Sequence, residues 1–195
     1  PSGFAVTAQA YNYYLEVNKL HEPLRKLLST IDRDKLQEFA AIGQEIRTLI
    51  VNAQLPEVIA QEIIQAYQHM EAKYGKLCDV AVRSSATAED LPHASFAGQQ
   101  ETYLNVQGVD TLLLAYKKAC ASLFTNRAIS YRIDHGFDHM EVALSVGVQK
   151  MIRSDKASAG VIFTLDTESG FKDVVFINSA YGLGENVVKG TVIPD

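Results

Sequence analysis

No run of apolar residues in this 195-residue chain approaches the ~20 that a membrane-spanning helix needs, and no signal peptide is recognisable at its start. Cysteine is scarce. Cys78 and Cys120 form no spaced framework, so they read as reduced thiols packed in the core of a cytoplasmic protein. Positive charge is not in excess: the formal net charge is −5. That argues against a general nucleic-acid binder, whose footprint would be a basic stripe. It leaves room for a nucleotide site, which needs only a local cluster of cations and N–H donors. The GxxxxGK[ST] motif is missing, which excludes a P-loop NTPase, and no GxSxG supports a serine hydrolase. His135 and His139 stand four apart, but Gly136 lies between them and no cysteine or third histidine joins them, so no zinc site is expected. His21, His69 and His93 are isolated, and internal repeats, low-complexity tracts and flexible linkers are absent.

What is present is an ordinary apolar fraction, 47%, in a chain long enough to bury a core as one domain or two small lobes. The first third reads as helix. Thr7 is an N-cap ahead of Tyr11, Tyr14, Leu15, Val17 and Leu20. Asp32 caps a second helix, with Leu36, Phe39, Ile42, Ile46, Leu49 and Ile50 on one face. Pro56 opens a third, which carries Val58, Ile59, Ile63, Ala66, Tyr67, Met70 and Tyr74 and stops at Gly75, a C-cap. The aromatic and Met stripes are assigned to the core. Strands follow at 79–83 and 101–106, and then a helical stretch over 110–132, broken near Thr125. Three more strands are expected at 142–152, 160–165 and 173–179, the last two forming a hairpin. Helices and hairpins without regular βαβ alternation predict an antiparallel-rich α+β fold, with a helical region over 1–75 and a mixed sheet region over 76–195.

The most informative stretch is 80–106, VAVRSSATAEDLPHASFAGQQETYLNV. An apolar strand delivers Arg83 to the mouth of a run of small, polar and acidic residues, and a second strand returns. Such a loop suits an anion: backbone approaches where side chains are small, and a guanidinium fork pairs with phosphate oxygens. Ser84, Ser85 and Thr87 add hydroxyls, and Gly98 permits close approach. Pattern alone leaves an ordinary hairpin with a long loop equally open. Gln149, in an otherwise apolar strand, must find a partner in the core or face a cleft. The run Tyr181-Gly182-Leu183-Gly184-Glu185-Asn186 is too short for a dinucleotide fingerprint and has no acidic residue at the right distance beyond it.

Four segments in register, 80–106 together with VALSVGVQKMIRSD (142–155), AGVIFTLDTESGF (159–171) and INSAYGLGENVVKG (177–190), resemble the nucleotide-binding domain of the pyruvate phosphate dikinase family, and the likeness runs from Ser2 to Asp195. The resemblance implies an ATP-grasp-like domain. It implies ATP as ligand, with Mg²⁺ on the triphosphate. It places Arg83 and Ser84 on the phosphates, Phe96, Gly98 and Gln99 over the triphosphate, and Thr102 where a hydroxyl meets the nucleotide. Gln149 is assigned to the nucleotide site and Met151 to packing beside the base, with core filling as the other reading of Met151. Thr87 and Gln99 are second-line candidates. So is Glu185, near metal and phosphate, with a structural turn as its other reading. No catalytic residue and no metal ligand is expected in this stretch.

The wording of TLDTESGF and SAYGLGENVV favours the branch that forms phosphoenolpyruvate from pyruvate, ATP and water through a phosphohistidine, as a step of gluconeogenesis. The partners implied are a phosphohistidine domain and a pyruvate-binding barrel of the same full-length chain, itself a homodimer. Related dikinases, antibiotic phosphotransferases and a non-catalytic nucleotide-binding module are the alternatives. The chain opens at Pro1 and stops at Asp195, which reads as a piece of something larger. The family's glycine-rich lysine motif is expected before Pro1, and its metal-binding Glu and phosphate-binding Arg after Asp195. By itself the stretch is therefore expected to be inactive and at most a weak nucleotide binder.

Overall fold

In a computed structural model, the structure describes residues 2–32, 34–86 and 101–194, and the backbone of 90–91 and 94–95. It divides into two compact units, Pro1–Met151 and Ile152–Asp195.

The first unit is a four-stranded sheet with helices on one face. Its strands are β1 (Gly3–Val6), β2 (Val80–Ala86), β5 (Thr102–Val106) and β6 (Leu144–Lys150), in the order β1-β6-β2-β5 with every neighbouring pair antiparallel. Two-residue strands β3 (Asp90–Leu91) and β4 (Ala94–Ser95) pair with each other. Alternation decides which side is covered. Val80 and Val82 of β2 and Leu144, Val146 and Val148 of β6 are buried against helices, while the residues between them on β6 are only half-buried. The covering helices are α1 (Ala8–Val17), α4 (Glu57–Tyr74) and α5 (Val109–Ala121), with α3 (Leu36–Asn52) packed outside α5, and α2 (His21–Ser29) and α6 (Asn126–Asp134) against α3.

Several joints are explicit. Tyr67, fully buried on α4, donates its hydroxyl to Cys78 O (2.7 Å) and accepts from Gly108 N–H (3.0 Å), tying the entrance of β2 to the start of α5. Tyr14 donates to Ile50 O (2.5 Å), joining α1 to α3. Thr125 breaks the α5–α6 stretch as expected, its hydroxyl accepting from Ala128 N–H (3.2 Å). Gly75 ends α4 at φ +98°, a conformation L side chains rarely adopt.

The mixed α+β architecture and the five principal strands after Gly75 match the sequence expectation within a few residues. Three details differ. Gly3–Val6 is an edge strand, too short for its two inward residues, Phe4 and Val6, to show a period. The chain breaks after Val17, where Lys19 takes φ +53° and the Asn18 amide donates to Tyr14 O and Gln54 O (both 2.9 Å), so α2 is a separate helix. The second expected helix starts at Leu36 rather than at Asp32, whose carboxylate instead accepts from Asp34 N–H (3.1 Å) in a turn.

The second unit is the antiparallel hairpin β7 (Ser158–Phe163) and β8 (Phe176–Tyr181), with the short helix α7 (Gly184–Val188). Within the connection Asp166 makes an Asx turn, accepting from Glu168 N–H (3.1 Å) and from the Ser169 hydroxyl. Those bonds, the hydroxyl first, hold its carboxyl below the usual range.

Candidate functional site

In an antiparallel ladder, directly opposed residues point to the same face. Ala5 pairs with Gly147, Gly147 with Arg83, and Arg83 with Thr102. One transverse row therefore crosses all four strands: Ala5, Gly147, Arg83, Thr102. Beside it lie Gly3 and Gln149 on one side and Ser145 and Ser85 on the other. This is the face the helices do not cover, and its middle is nearly bare of side chains. A groove of about 420 Å³ runs along it, lined by Gly3, Phe4, Ala5, Arg83, Gly147, Val148 and Gln149.

Arg83 is exposed, and among the described residues its guanidinium has no ion-pair or hydrogen-bond partner. The nearby Lys150 is already spent: its ammonium pairs with Asp79, at the entrance of β2. A cation held by a strand, its five donors unused by the described residues, is equipped to pair with a phosphate or carboxylate.

Of the residues singled out from the sequence, the fold brings Arg83, Thr102 and Gln149 together on this open face. Ser84 does not join them. It alternates to the other face of β2, opposite Val146, and its hydroxyl reaches toward Glu101 O at 3.5 Å. Met151 is buried just past β6, its N–H bonded to Asp79 O (3.0 Å), and does not line the groove. Glu185 belongs to the second unit, where its carboxylate pairs with Lys189 at 2.5 Å. Thr87, Phe96, Gly98 and Gln99 lie outside the described residues. Sequence reasoning missed Gly3, Ala5 and Gly147. The signal was present in β6, where Ser145, Gly147 and Gln149 alternate with buried Leu144, Val146 and Val148.

A larger hollow of about 510 Å³ lies on the helical side, lined by Arg47, Glu101, Tyr103 and Lys118 among others. Its arginine is committed. Arg47 donates to Phe124 O (2.8 Å), Asn126 Oδ1 (3.3 Å) and Gln44 Oε1 (2.8 Å), so it ties α3 to the start of α6. Burial pulls its pKa down, against the attraction of Glu101. Fully buried Arg132 donates Nε–H to His139 Nδ1 (2.8 Å) and sits over the Phe124 ring, 5.3 Å from its centroid. Burial first, and the guanidinium second, lower the His139 pKa to about 4. Both arrangements brace α6. Among the described residues, no group of three or more His, Cys, Asp or Glu could hold a metal ion, and no helix is long and apolar enough to cross a membrane.

An antiparallel sheet covered by helices on one face presents on the other an arginine without a partner among the described residues, a hydroxyl and an amide, a set whose chemistry suits an anion. The comparison with known proteins agrees. Over residues 1–195 the chain matches the family described as "Pyruvate phosphate dikinase, AMP/ATP-binding domain", and it belongs to that family. It is 57% identical to the phosphoenolpyruvate synthase of Helicobacter pylori, 55% to that of Aquifex aeolicus and 52% to that of Escherichia coli. Each alignment covers all of this chain but 24%, 23% and 24%, respectively, of the relative. The chain thus spans about a quarter of the length of these relatives.

Proposed function

We propose that the open face of the four-stranded sheet binds ATP, and that the chain is the ATP-binding part of a phosphoenolpyruvate synthase. Such an enzyme converts pyruvate, ATP and water to phosphoenolpyruvate, AMP and phosphate through a phosphohistidine. The observation that carries the reading is Arg83, exposed and without a partner among the described residues, beside bare Gly147 and in one row with Thr102. Identity of 52–57% along the whole chain to proteins named phosphoenolpyruvate synthase supports the choice of branch.

In this reading Arg83 forks onto phosphate oxygens and balances their charge, which is most of what a phosphoryl-transfer site must do. The Thr102 hydroxyl donates to the same phosphates. Gln149, at the other end of the groove, presents an amide that both donates and accepts to the edge of a base. The assignment of an ATP-grasp-like fold belongs to the same reading. Magnesium would neutralise charge on the triphosphate. The described residues do not form a cage for it, so it is placed as a companion of the nucleotide, held mainly by phosphates. The phosphohistidine, the pyruvate-binding barrel, homodimerisation and a cytoplasmic location belong to the proposed whole enzyme. The division at 75/76 is proposed as one of labour: 1–75 buttresses and gives the groove one wall through β1, and 76–195 carries the side chains that meet the ligand. Ser84 and Met151 stay in the proposal as outer contacts reached through backbone, and Thr87, Gly98, Gln99 and Glu185 stay in it on the resemblance alone.

Titration of Mg-ATP followed by amide NMR shifts, with Arg83→Ala alongside, tests this. Shifts clustered at 3–5, 81–84, 102 and 145–149 and weakened at least tenfold by the substitution are expected. Such a loss is about 1.4 kcal/mol, within the range of one charge-assisted contact. Shifts confined to other residues, or unaffected by the substitution, would refute the proposal.

A further inference from the structure

Two glycines flank the groove, and only one is required by the fold. At Gly3 a Cβ would lie 2.1 Å from Val148 O, so the strand pairing itself excludes a side chain there. At Gly147 the nearest atom to a built Cβ is Arg83 O at 3.8 Å, an ordinary contact, and the backbone is in a conformation any residue adopts. Glycine in a strand interior is destabilising relative to alanine. The sheet therefore bears that cost at 147 without a packing reason, at the crossing of the groove with the Arg83 row.

We infer that Gly147 is a specificity-determining clearance: its missing side chain lets the nucleoside part of a nucleoside triphosphate cross the sheet between Gln149 and Arg83. The inference rests on the proposed nucleotide site and adds to it the position that clears the ligand's path between Gln149 and Arg83. Strand β6 has β1 on one side and β2 on the other, so its peptide groups are spent in two ladders. The bed over Gly147 thus offers no free N–H donors. A phosphate laid there would give up water for nothing, whereas a ring or ribose would lose little and gain contact with flat backbone. Donors lie at the ends of the groove instead: the Gln149 amide at one, Arg83 and Thr102 at the other. The ligand accordingly lies obliquely over β6 and β2, base toward Gln149 and Gly3, phosphates toward Arg83 and Thr102.

The test compares Gly147→Ala, Gly147→Val and Arg83→Ala of the whole chain, measuring affinity for Mg-ATP and for magnesium tripolyphosphate, which has no nucleoside, together with the melting temperature. The expected result is a graded loss of Mg-ATP affinity, reaching about tenfold or more for valine as its branches occupy ligand space. Tripolyphosphate affinity stays at the parent value in both Gly147 variants and falls in Arg83→Ala. The melting temperature of Gly147→Ala does not fall. Unchanged Mg-ATP affinity in Gly147→Val, with both ligands still dependent on Arg83, would overturn this inference and leave the nucleotide site standing. Equal losses of both ligands in Gly147→Val would also overturn it, because the clearance would then serve phosphate. If the parent chain bound neither ligand, or bound both independently of Arg83, the nucleotide site and the inference would fall together.

Discussion

Arg83 and Gly147 stand opposite one another across the β2–β6 ladder, so a strand-held cation rises beside the barest point of the sheet. The pairing is how a chain of formal charge −5 would hold the proposed anion site. Register, rather than composition, concentrates the positive charge where nothing on the described protein neutralises it.

Thr102 and Ser84 are close in the structure but on opposite faces, and this predicts different behaviour. Thr102→Val should weaken Mg-ATP by roughly three- to tenfold, about one neutral hydrogen bond. Ser84→Ala should stay within about twofold, because its hydroxyl turns toward Glu101 O on the other side. Isothermal titration of both variants decides it, and the reverse order would mean that the ligand meets the other face.

Arg47 predicts the converse pattern. Its guanidinium is occupied by Phe124 O, Asn126 Oδ1 and Gln44 Oε1, so Arg47→Met should lower stability in urea by about 1–3 kcal/mol and leave Mg-ATP affinity unchanged. A selective loss of binding at unchanged stability would make the helical hollow a ligand site.

Tyr67→Phe deletes one hydroxyl and orphans two backbone groups, Cys78 O and Gly108 N–H. The expected cost is about 1–3 kcal/mol, read as a shift of the denaturation midpoint at constant slope. Faster hydrogen exchange should appear at the start of both β2 and α5.

His139 sets a pH dependence. Its folded pKa, about 4, lies below the unfolded value of 6.5. Between those values the unfolded chain binds the extra proton, so stability is highest above pH 6.5 and falls as pH drops toward 4. His139 is only partly buried, so solvent screening limits the loss to on the order of 1–2 kcal/mol. His139→Gln keeps an acceptor for Arg132 Nε and should flatten that slope, as denaturation midpoints at pH 4.5 and 7 would show.

Periodicity made the long elements legible. The α3 and α4 stripes, the break at Thr125 and the hairpin β7–β8 announce themselves locally. The strand β1 did not, because four residues with two inward side chains carry no period, yet it supplies one wall of the groove. Arg83, Thr102 and Gln149 were legible as candidates through the 80–106 stretch and the resemblance. That they share a face depends on the β2–β6 and β2–β5 registers, which no local pattern encodes. Gly147 was missed because a glycine in a strand looks like a weakness until the residue across the ladder is known.

On the proposed reading the nucleotide lies on the bare sheet face. Photolabelling with Mg-8-azido-ATP, followed by mapping of the modified peptides, tests it most directly. Label within 3–5 and 145–151, suppressed by excess ATP and reduced by Arg83→Ala, is the predicted result. ATP-suppressible label within 44–52 or 118–126 would instead place the ligand in the helical hollow and rule out the sheet face.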